Sequence, residues 1–173
     1  MGMDVHGINP KQNKTIDKFP VLAKYKEMEA EDDGFQRKWK ELDADKKLRE
    51  KYWKEEEEYG KANPGHYFRN NVWWWRPLWD YCHMAAPDII DEDTYENGHH
   101  NSGAGLDADR AKALGNRLMQ LIADCSVIKY EATYTQELDD LSDDDFNKHY
   151  PFDSRNVEEF AHFCIQSGGF EIC

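Results

Sequence analysis

Three adjacent tryptophans, at positions 73–75, constrain the fold of this chain more than any other feature. Two of them fall in a segment, residues 67–74, whose composition is typical of a β-strand. Pro77 follows shortly and suits the first turn of a helix, so the tryptophans are predicted to lie at a strand-to-helix junction. Because side chains alternate between the faces of a strand, a sheet with one buried face cannot cover all three indole rings. At least one ring is therefore expected to need a partner outside the core.

Both ends of the chain have the short apolar alternation of β-strands. Residues 1–9 and the terminal FEIC are each bounded by Gly or Pro, and we expect them to pair in one small sheet with Val5 and Phe170 facing the core. With the central strand, residues 67–74, they predict an α+β fold in which the sheet packs against three to four helices. These helices are expected at residues 108–124, 128–141 and 155–166, with a shorter one beginning near Pro77.

Charge divides the chain into two parts. Residues 11–64 contain 14 of the 22 Lys and Arg residues and 14 of the 35 Asp and Glu residues, so the rest of the chain carries the whole net charge of −13. We interpret the chain as a single domain, residues 1–173, in which a charged helical hairpin, residues 11–64, is inserted ahead of an acidic body, residues 65–173. The hairpin is expected to break near Asp33 and Gly34. The mixed charges of the insert are typical of a solvated, ion-paired surface, with a partner-binding coiled coil as the alternative.

The composition also bears on partners and location. An acidic body repels polyphosphate, which argues against general nucleic-acid binding but leaves open basic partners or a small anion in a locally positive pocket. No apolar run is long enough to span a bilayer, and the first residues lack the pattern of a secretion signal. We therefore expect no membrane association and a location in the cytoplasm, where the four cysteines would be reduced thiols.

Two segments combine the residue types that bind flat or anionic ligands. Tryptophan rings stack on flat groups, and arginine forks onto phosphate oxygens. The Gly-rich loop at 98–105 precedes a helix, where backbone N–H groups can hold an anion, but it lacks the Lys and the Ser or Thr of a P-loop. Core packing of the tryptophans and a plain polar turn are the alternatives. The predicted ligand-binding residues are Arg69, Asn71, Trp73, Trp74, Trp75, Arg76, His99, His100, Asn101 and Ser102.

Within this set, one shared pocket is expected. It would combine Arg69, Arg76 and at least one of the three tryptophans with the loop residues His99, Asn101 and Ser102. The two arginines would meet an anionic group, while an indole ring would meet a flat one.

Metal ligation and catalysis have weaker signals. Ligand-type side chains occur at Cys82, His83, His99, His100 and in the aspartates of 139–145, but their spacing matches no recognised metal site. No nucleophile elbow or Cys-His signature is present, so a Ser102 dyad with His99 or His100 could arise only through folding. No metal ligand, cofactor or catalytic residue is predicted.

Several blocks of sequence resemble a family of uncharacterised proteins encoded by tailed bacteriophages and prophages. These blocks are MGMDVHGINP at the start, YFRNNVWWWRPLW at 67–79, the HxNSG-type loop at 99–103, YPF and NVEEF within 150–160, and SGGFEIC at the end. They cover nearly all of the chain outside the insert. Many members of the family carry paired CxxC motifs before YPF, where this chain has only LSDDDFNKH. The resemblance implies a phage protein acting in an infected bacterial cell and implies no particular chemistry.

Three functions are compatible with these features. The first is a phage accessory protein that acts by binding, either sequestering a nucleotide-like metabolite or blocking a host protein. The second is a small hydrolase or nucleotide-modifying enzyme centred on the His99–His100 loop. The third is an acidic mimic of nucleic acid that occupies a basic host surface.

Overall fold

The computed structural model describes residues 2–173, which form an α+β fold with a four-stranded antiparallel sheet. The strands are β1 (Gly2–Gly7), β2 (Tyr67–Asn71), β3 (Ala104–Leu106) and β4 (Phe170–Ile172). The helices are α1 (Pro20–Glu29), α2 (Gly34–Ala44), α3 (Lys46–Ala62), α4 (Val72–Ala85), α5 (Glu92–Asn97), α6 (Ala108–Ala123), α7 (Ser126–Asp140) and α8 (Ser154–Gln166). Two 3-10 helices span Ile16–Lys18 and Phe146–His149. No helix within residues 2–173 is long and apolar enough to cross a membrane.

The sheet joins the two ends of the chain, as the sequence predicts. Its strand order is β2-β1-β4-β3, and Val5 on β1 stands opposite Phe68 on one side and Ile172 on the other. Val5 and Phe170 are both fully buried, which confirms that these ends pair with their apolar residues on the core face. The edge strand β3 was not predicted, because a three-residue strand of sequence AGL is too short to show alternation.

The central strand is shorter than predicted, and this corrects the account of the tryptophans. Strand β2 ends at Asn71 and helix α4 begins at Val72, so none of the three indoles lies on a strand. The Asn71 side chain accepts hydrogen bonds from the backbone N–H groups of Trp73 and Trp74, and this N-cap starts the helix ahead of Pro77. Successive rings therefore point about 100° apart around the helix instead of alternating between two faces.

The body, residues 2–11 with 64–173, has an aromatic core. Helices α6 and α8 pack closely on each other, and Phe160 and Phe163 of α8 contact Phe68 of β2 with ring centroids 5.0 and 5.9 Å apart. Phe170 packs against the same two rings. Full burial of large rings lets a chain with few aliphatic residues remove enough apolar surface from water.

The insert, residues 12–63, is a separate compact unit with three helices where two were predicted. The first break falls at Asp33, which has a positive φ of 59°, and at Gly34, where an added Cβ would lie 1.7 Å from the Met28 carbonyl oxygen. The second break falls at Asp45, whose carboxylate caps α3. The unit has its own core, made of Phe19, Leu22, Tyr25, Met28, Leu42 and Tyr52.

Two buried polar side chains connect distant parts of this unit by hydrogen bonds. Asn63 is 1% exposed and accepts hydrogen bonds from the backbone N–H groups of Asn13 and Lys14, so it ties the beginning of the unit to its end. Glu55 on α3 accepts from the N–H groups of Val21 and Leu22 and thereby satisfies the N-terminus of α1.

Candidate functional site

The first two turns of α4 present the tryptophans in three different environments. Trp75 is fully buried, stacks on Trp79 with ring centroids 5.4 Å apart, and donates its indole N–H to the Gly98 carbonyl at 2.8 Å. Gly98 has no room for a side chain, because an added Cβ would lie 2.4 Å from Trp79 Nε1. Trp75 is therefore a core residue that holds the turn after α5 against α4.

Trp73 anchors the segment that follows α7. Its ring centroid lies 5.2 Å from that of Phe146, 5.9 Å from His149 and 5.0 Å from Tyr150. Phe146 nevertheless stays 60% exposed. This aromatic group therefore holds residues 146–151 beside α4 and still shows a ring to solvent.

Trp74 is the member of the triplet whose ring lacks an aromatic partner among residues 2–173. It is half-buried and helps to line a depression of about 580 Å³. The other residues around this depression are Asn71, Trp73, Phe146, His149 and Pro151. The free ring that the sequence predicts is thus Trp74, although a helix rather than a strand exposes it.

A second depression, of about 430 Å³, borders the same segment. Arg76 donates from Nη1 to the Tyr150 hydroxyl at 2.9 Å, and its guanidinium lies 5.6 Å from the centre of that ring. Two carboxylates, Asp80 and Glu137, face the same space. Apolar and polar residues complete the wall: Pro77, Tyr134, Leu138, Leu141 and Asn147. We call the two depressions together the α4 groove.

The charge in the groove is negative overall, because one guanidinium stands against two carboxylates. Burial raises the pKa of Tyr134 to about 12, and Asp80 and Glu137 push it the same way. The Tyr134 hydroxyl is therefore protonated at neutral pH and can act as a hydrogen-bond donor. The Tyr134 hydroxyl donates to the Tyr150 carbonyl at 2.9 Å, which fixes the wall of the groove.

A histidine lies close to the Asp80 carboxylate. His99 Nε2 lies 3.4 Å from Asp80 Oδ1, which also accepts from the Tyr95 hydroxyl at 2.9 Å. Burial lowers the pKa of His99 despite the nearby Asp80, and Arg76 lowers it further. His99 is therefore neutral near pH 7, and its ring lies against the Asp80 carboxylate on the side of α5.

The remaining predicted ligand residues line neither depression. Arg69 on β2 pairs with Asp4 on the neighbouring strand, with Nε 3.4 Å from Oδ1. Asn101 Nδ2 donates to the Gly2 carbonyl at 3.3 Å, and Ser102 Oγ donates to the Asn97 carbonyl at the same distance. His100 is exposed in the same turn. The structure thus brings together Asn71, Trp73, Trp74 and Arg76 but not Arg69 or the loop.

Neither of the two depressions is therefore the predicted shared pocket. The loop instead has a structural role. Gly98 leaves room for the Trp79 ring, and Gly103, just before β3, donates its N–H to the Ile172 carbonyl at 2.8 Å. Within residues 2–173, the Ser102 hydroxyl bonds to neither imidazole, and the backbone N–H of Ser102 donates to the His100 carbonyl at 2.9 Å. Asn71 is occupied as the N-cap of α4.

Several groove residues were not predicted from the sequence. Phe146, His149 and Tyr150 follow the aspartates of 139–145 in a stretch for which no element was predicted, and Asp80, Tyr134 and Glu137 lie on helices with no motif. One usable signal was the YPF block at 150–152, which belongs to the resemblance described above.

No metal site or reactive thiol stands out in the described residues. Within residues 2–173, no three His, Cys, Asp or Glu side chains are grouped closely enough to hold a metal ion. All four cysteines are free thiols, and burial raises the pKa of Cys82 and of Cys164. Such buried thiols are poor nucleophiles.

Comparison with known proteins adds no relative. No protein-family model, curated protein or solved structure matches the chain.

Proposed function

We propose that the protein acts by binding, and that the α4 groove takes a basic segment of a host protein in an infected bacterial cell. This proposal selects the host-protein option among the functions compatible with the sequence. The resemblance to phage proteins supports the location, and the chemistry of the groove supports the partner. The single observation that carries it is the combination of Asp80 and Glu137 in one depression with the Trp74 and Phe146 rings in the depression on the other side of residues 146–151.

Electrostatics favour a cationic partner. The groove has one arginine against two carboxylates, and the body outside residues 11–64 carries the whole net charge of −13. A phosphate would have to approach against this field, whereas Lys or Arg side chains would be steered toward it. Because Arg76 already donates to Tyr150, its free N–H groups orient backbone carbonyls or a carboxylate of the partner.

The aromatic residues supply the contact area. Phe146 is 60% exposed, and Trp74 presents a half-buried ring with no aromatic neighbour in the described part of the chain. Exposed Trp, Tyr and Phe around a polar depression are typical of the energetic centre of a protein interface. Leu138 and Leu141 form an apolar wall that can cover the alkyl stem of a Lys or Arg side chain.

The test is photo-crosslinking in bacterial cells that express the protein. A benzophenone amino acid at position 146 should crosslink to one defined host protein, through a segment rich in Lys and Arg. Glu137→Lys should abolish this crosslink by placing like charge against the partner, while Glu158→Lys should preserve it. Glu158 is the matched control, because it lies on α8, lines neither depression and gives the same change in net charge.

A second candidate is a flat, nucleotide-like ligand stacked on Trp74. The observation that favours it is the open side of this ring, since base–aromatic stacking contributes about 1–3 kcal/mol per base. Native mass spectrometry of protein purified from cells separates the two. A retained small anion that is lost with Arg76→Ala and kept with Glu137→Lys would support the nucleotide-like ligand over the basic segment.

A further inference from the structure

A stripe of exposed aromatic side chains crosses the insert. Phe35 and Trp39 on α2 have ring centroids 6.2 Å apart, and Trp39 lies 5.7 Å from Trp53 on α3. We call these three residues the aromatic stripe. Phe35 is 60% exposed and Trp53 is 48% exposed, so two of the three rings keep about half of their surface in water.

The insert does not need this stripe to close its core. Tyr25, Leu42 and Tyr52 are at most 1% exposed and fill the space between the helices beneath it. The polar group of this core is also satisfied, since the buried Lys38 ammonium donates to Glu29 at 2.7 Å and to the Tyr52 hydroxyl at 2.7 Å. Trp39 packs partly against this core, whereas the exposed Phe35 and Trp53 rings are apolar surface that association would cover.

The charges beside the stripe are of both signs and are paired with each other. Arg49 Nη1 lies 3.1 Å from Asp43 Oδ1, and Lys46 Nζ lies 3.8 Å from Glu50 Oε1. An apolar centre with a polar, ion-paired rim is the anatomy of a protein interface. A rim of this kind attracts neither a strongly acidic nor a strongly basic partner.

We infer that the aromatic stripe is the contact between two copies of this chain. Residues 11–64 contain equal numbers of basic and acidic residues, whereas the rest of the chain carries −13. Two acidic bodies repel each other, so the neutral insert is the part of the chain where two copies meet without net repulsion. In a two-fold arrangement, the positive member of each rim ion pair faces the negative member of the same pair in the second copy. The aromatic stripes of the two copies then pack on each other.

The first test measures association directly. Sedimentation equilibrium of the wild-type protein between about 1 and 100 µM should give a concentration-dependent dimer, the range in which weak homodimers assemble. A benzophenone amino acid at position 35 should then yield a covalent dimer crosslinked to α2 or α3 of the second copy. A monomer throughout the concentration range, or a crosslink that maps to residues 64–173, overturns the inference.

Charge substitution locates the interface. Phe35→Glu and Trp53→Glu should each raise the dissociation constant of the dimer by about tenfold or more, the loss typical of an interface hot spot. Ile128→Glu is the matched control, because Ile128 is 59% exposed on α7 and the same charge is introduced there. The inference is overturned if Ile128→Glu lowers the dimer affinity and the stripe variants do not. If a stripe variant unfolds, the crosslink from position 35 of the otherwise wild-type protein still identifies the interface.

Discussion

Replacing each tryptophan of the triplet by Phe separates a helical from an extended arrangement. On a strand, Trp73 and Trp75 would share a face and respond alike, while Trp74 would differ. On the helix that the structure shows, Trp75 alone is fully buried, and Trp73 and Trp74 are half-exposed. The three substitutions are chemically identical, so each is a control for the other two.

The expected cost follows from the contacts of Trp75. Trp75→Phe removes the hydrogen bond to the buried Gly98 carbonyl, and leaving that carbonyl without a donor costs about 1–3 kcal/mol. The smaller ring also leaves a gap beside Trp79 and Phe160, which adds about 1–2 kcal/mol. We expect a loss of about 3 kcal/mol for Trp75→Phe, and about 0.5 kcal/mol or less for the half-exposed Trp74→Phe.

The assay is urea unfolding followed by circular dichroism, with hydrogen exchange of the α8 amides to report on the body separately from the insert. Trp75→Phe should lower the free energy of unfolding of the body and leave protection in α3 unchanged. Equal costs for Trp73→Phe and Trp75→Phe, or a cost below about 1 kcal/mol for Trp75→Phe, would refute the helical placement of these rings.

Three further outcomes are expected. Asn63→Ala should destabilise the insert by about 2–4 kcal/mol, because the backbone N–H groups of Asn13 and Lys14 lose their buried acceptor, and hydrogen exchange in α3 measures it. Burial lowers the pKa of His99, so the unfolded chain binds the proton first and stability falls as pH drops below about 6.5; His99→Asn should flatten this part of a plot of unfolding free energy against pH. Replacing residues 12–63 by a Gly-Ser linker should leave a body that still melts cooperatively in calorimetry, and a non-cooperative melt would contradict the separation into two units.

Elements with a clear period were predictable from the sequence. The apolar spacing of α6 and α8 and the alternation at the two chain ends gave the right elements, and β1 and β4 pair as expected. The end of β2 was not predictable from propensity, because Trp favours strands. A single local interaction, the Asn71 cap, starts a helix there instead. The break near Asp33 and Gly34 was predicted, because an Asp-Gly pair is typical of a turn, whereas the break at Asp45 comes from a single cap and was not predicted.

The site was predictable only in part, for a physical reason. Asn71, Trp73, Trp74 and Arg76 are neighbours in the sequence and stay together, because one helix cap and its first turns hold them. Glu137 and Phe146 reach the groove only through the packing of α7 and the following segment on α4. The negative sign of the groove depends on Asp80 and Glu137 meeting in space, so a sequence with prominent arginines suggested an anionic ligand instead.

A pair of binding titrations tests most directly whether the α4 groove takes a basic segment. A fluorescein-labelled peptide of alternating Lys and Leu, and separately a labelled adenine nucleotide, would be titrated with the protein at about 50 and 200 mM salt and followed by anisotropy. We expect the affinity for the peptide to fall with salt. Glu137→Lys should weaken peptide binding by about tenfold or more, and Glu158→Lys should leave it within about twofold of wild type. Equal weakening by the two charge reversals, or tight nucleotide binding that only Arg76→Ala removes, would contradict a groove that takes a basic segment.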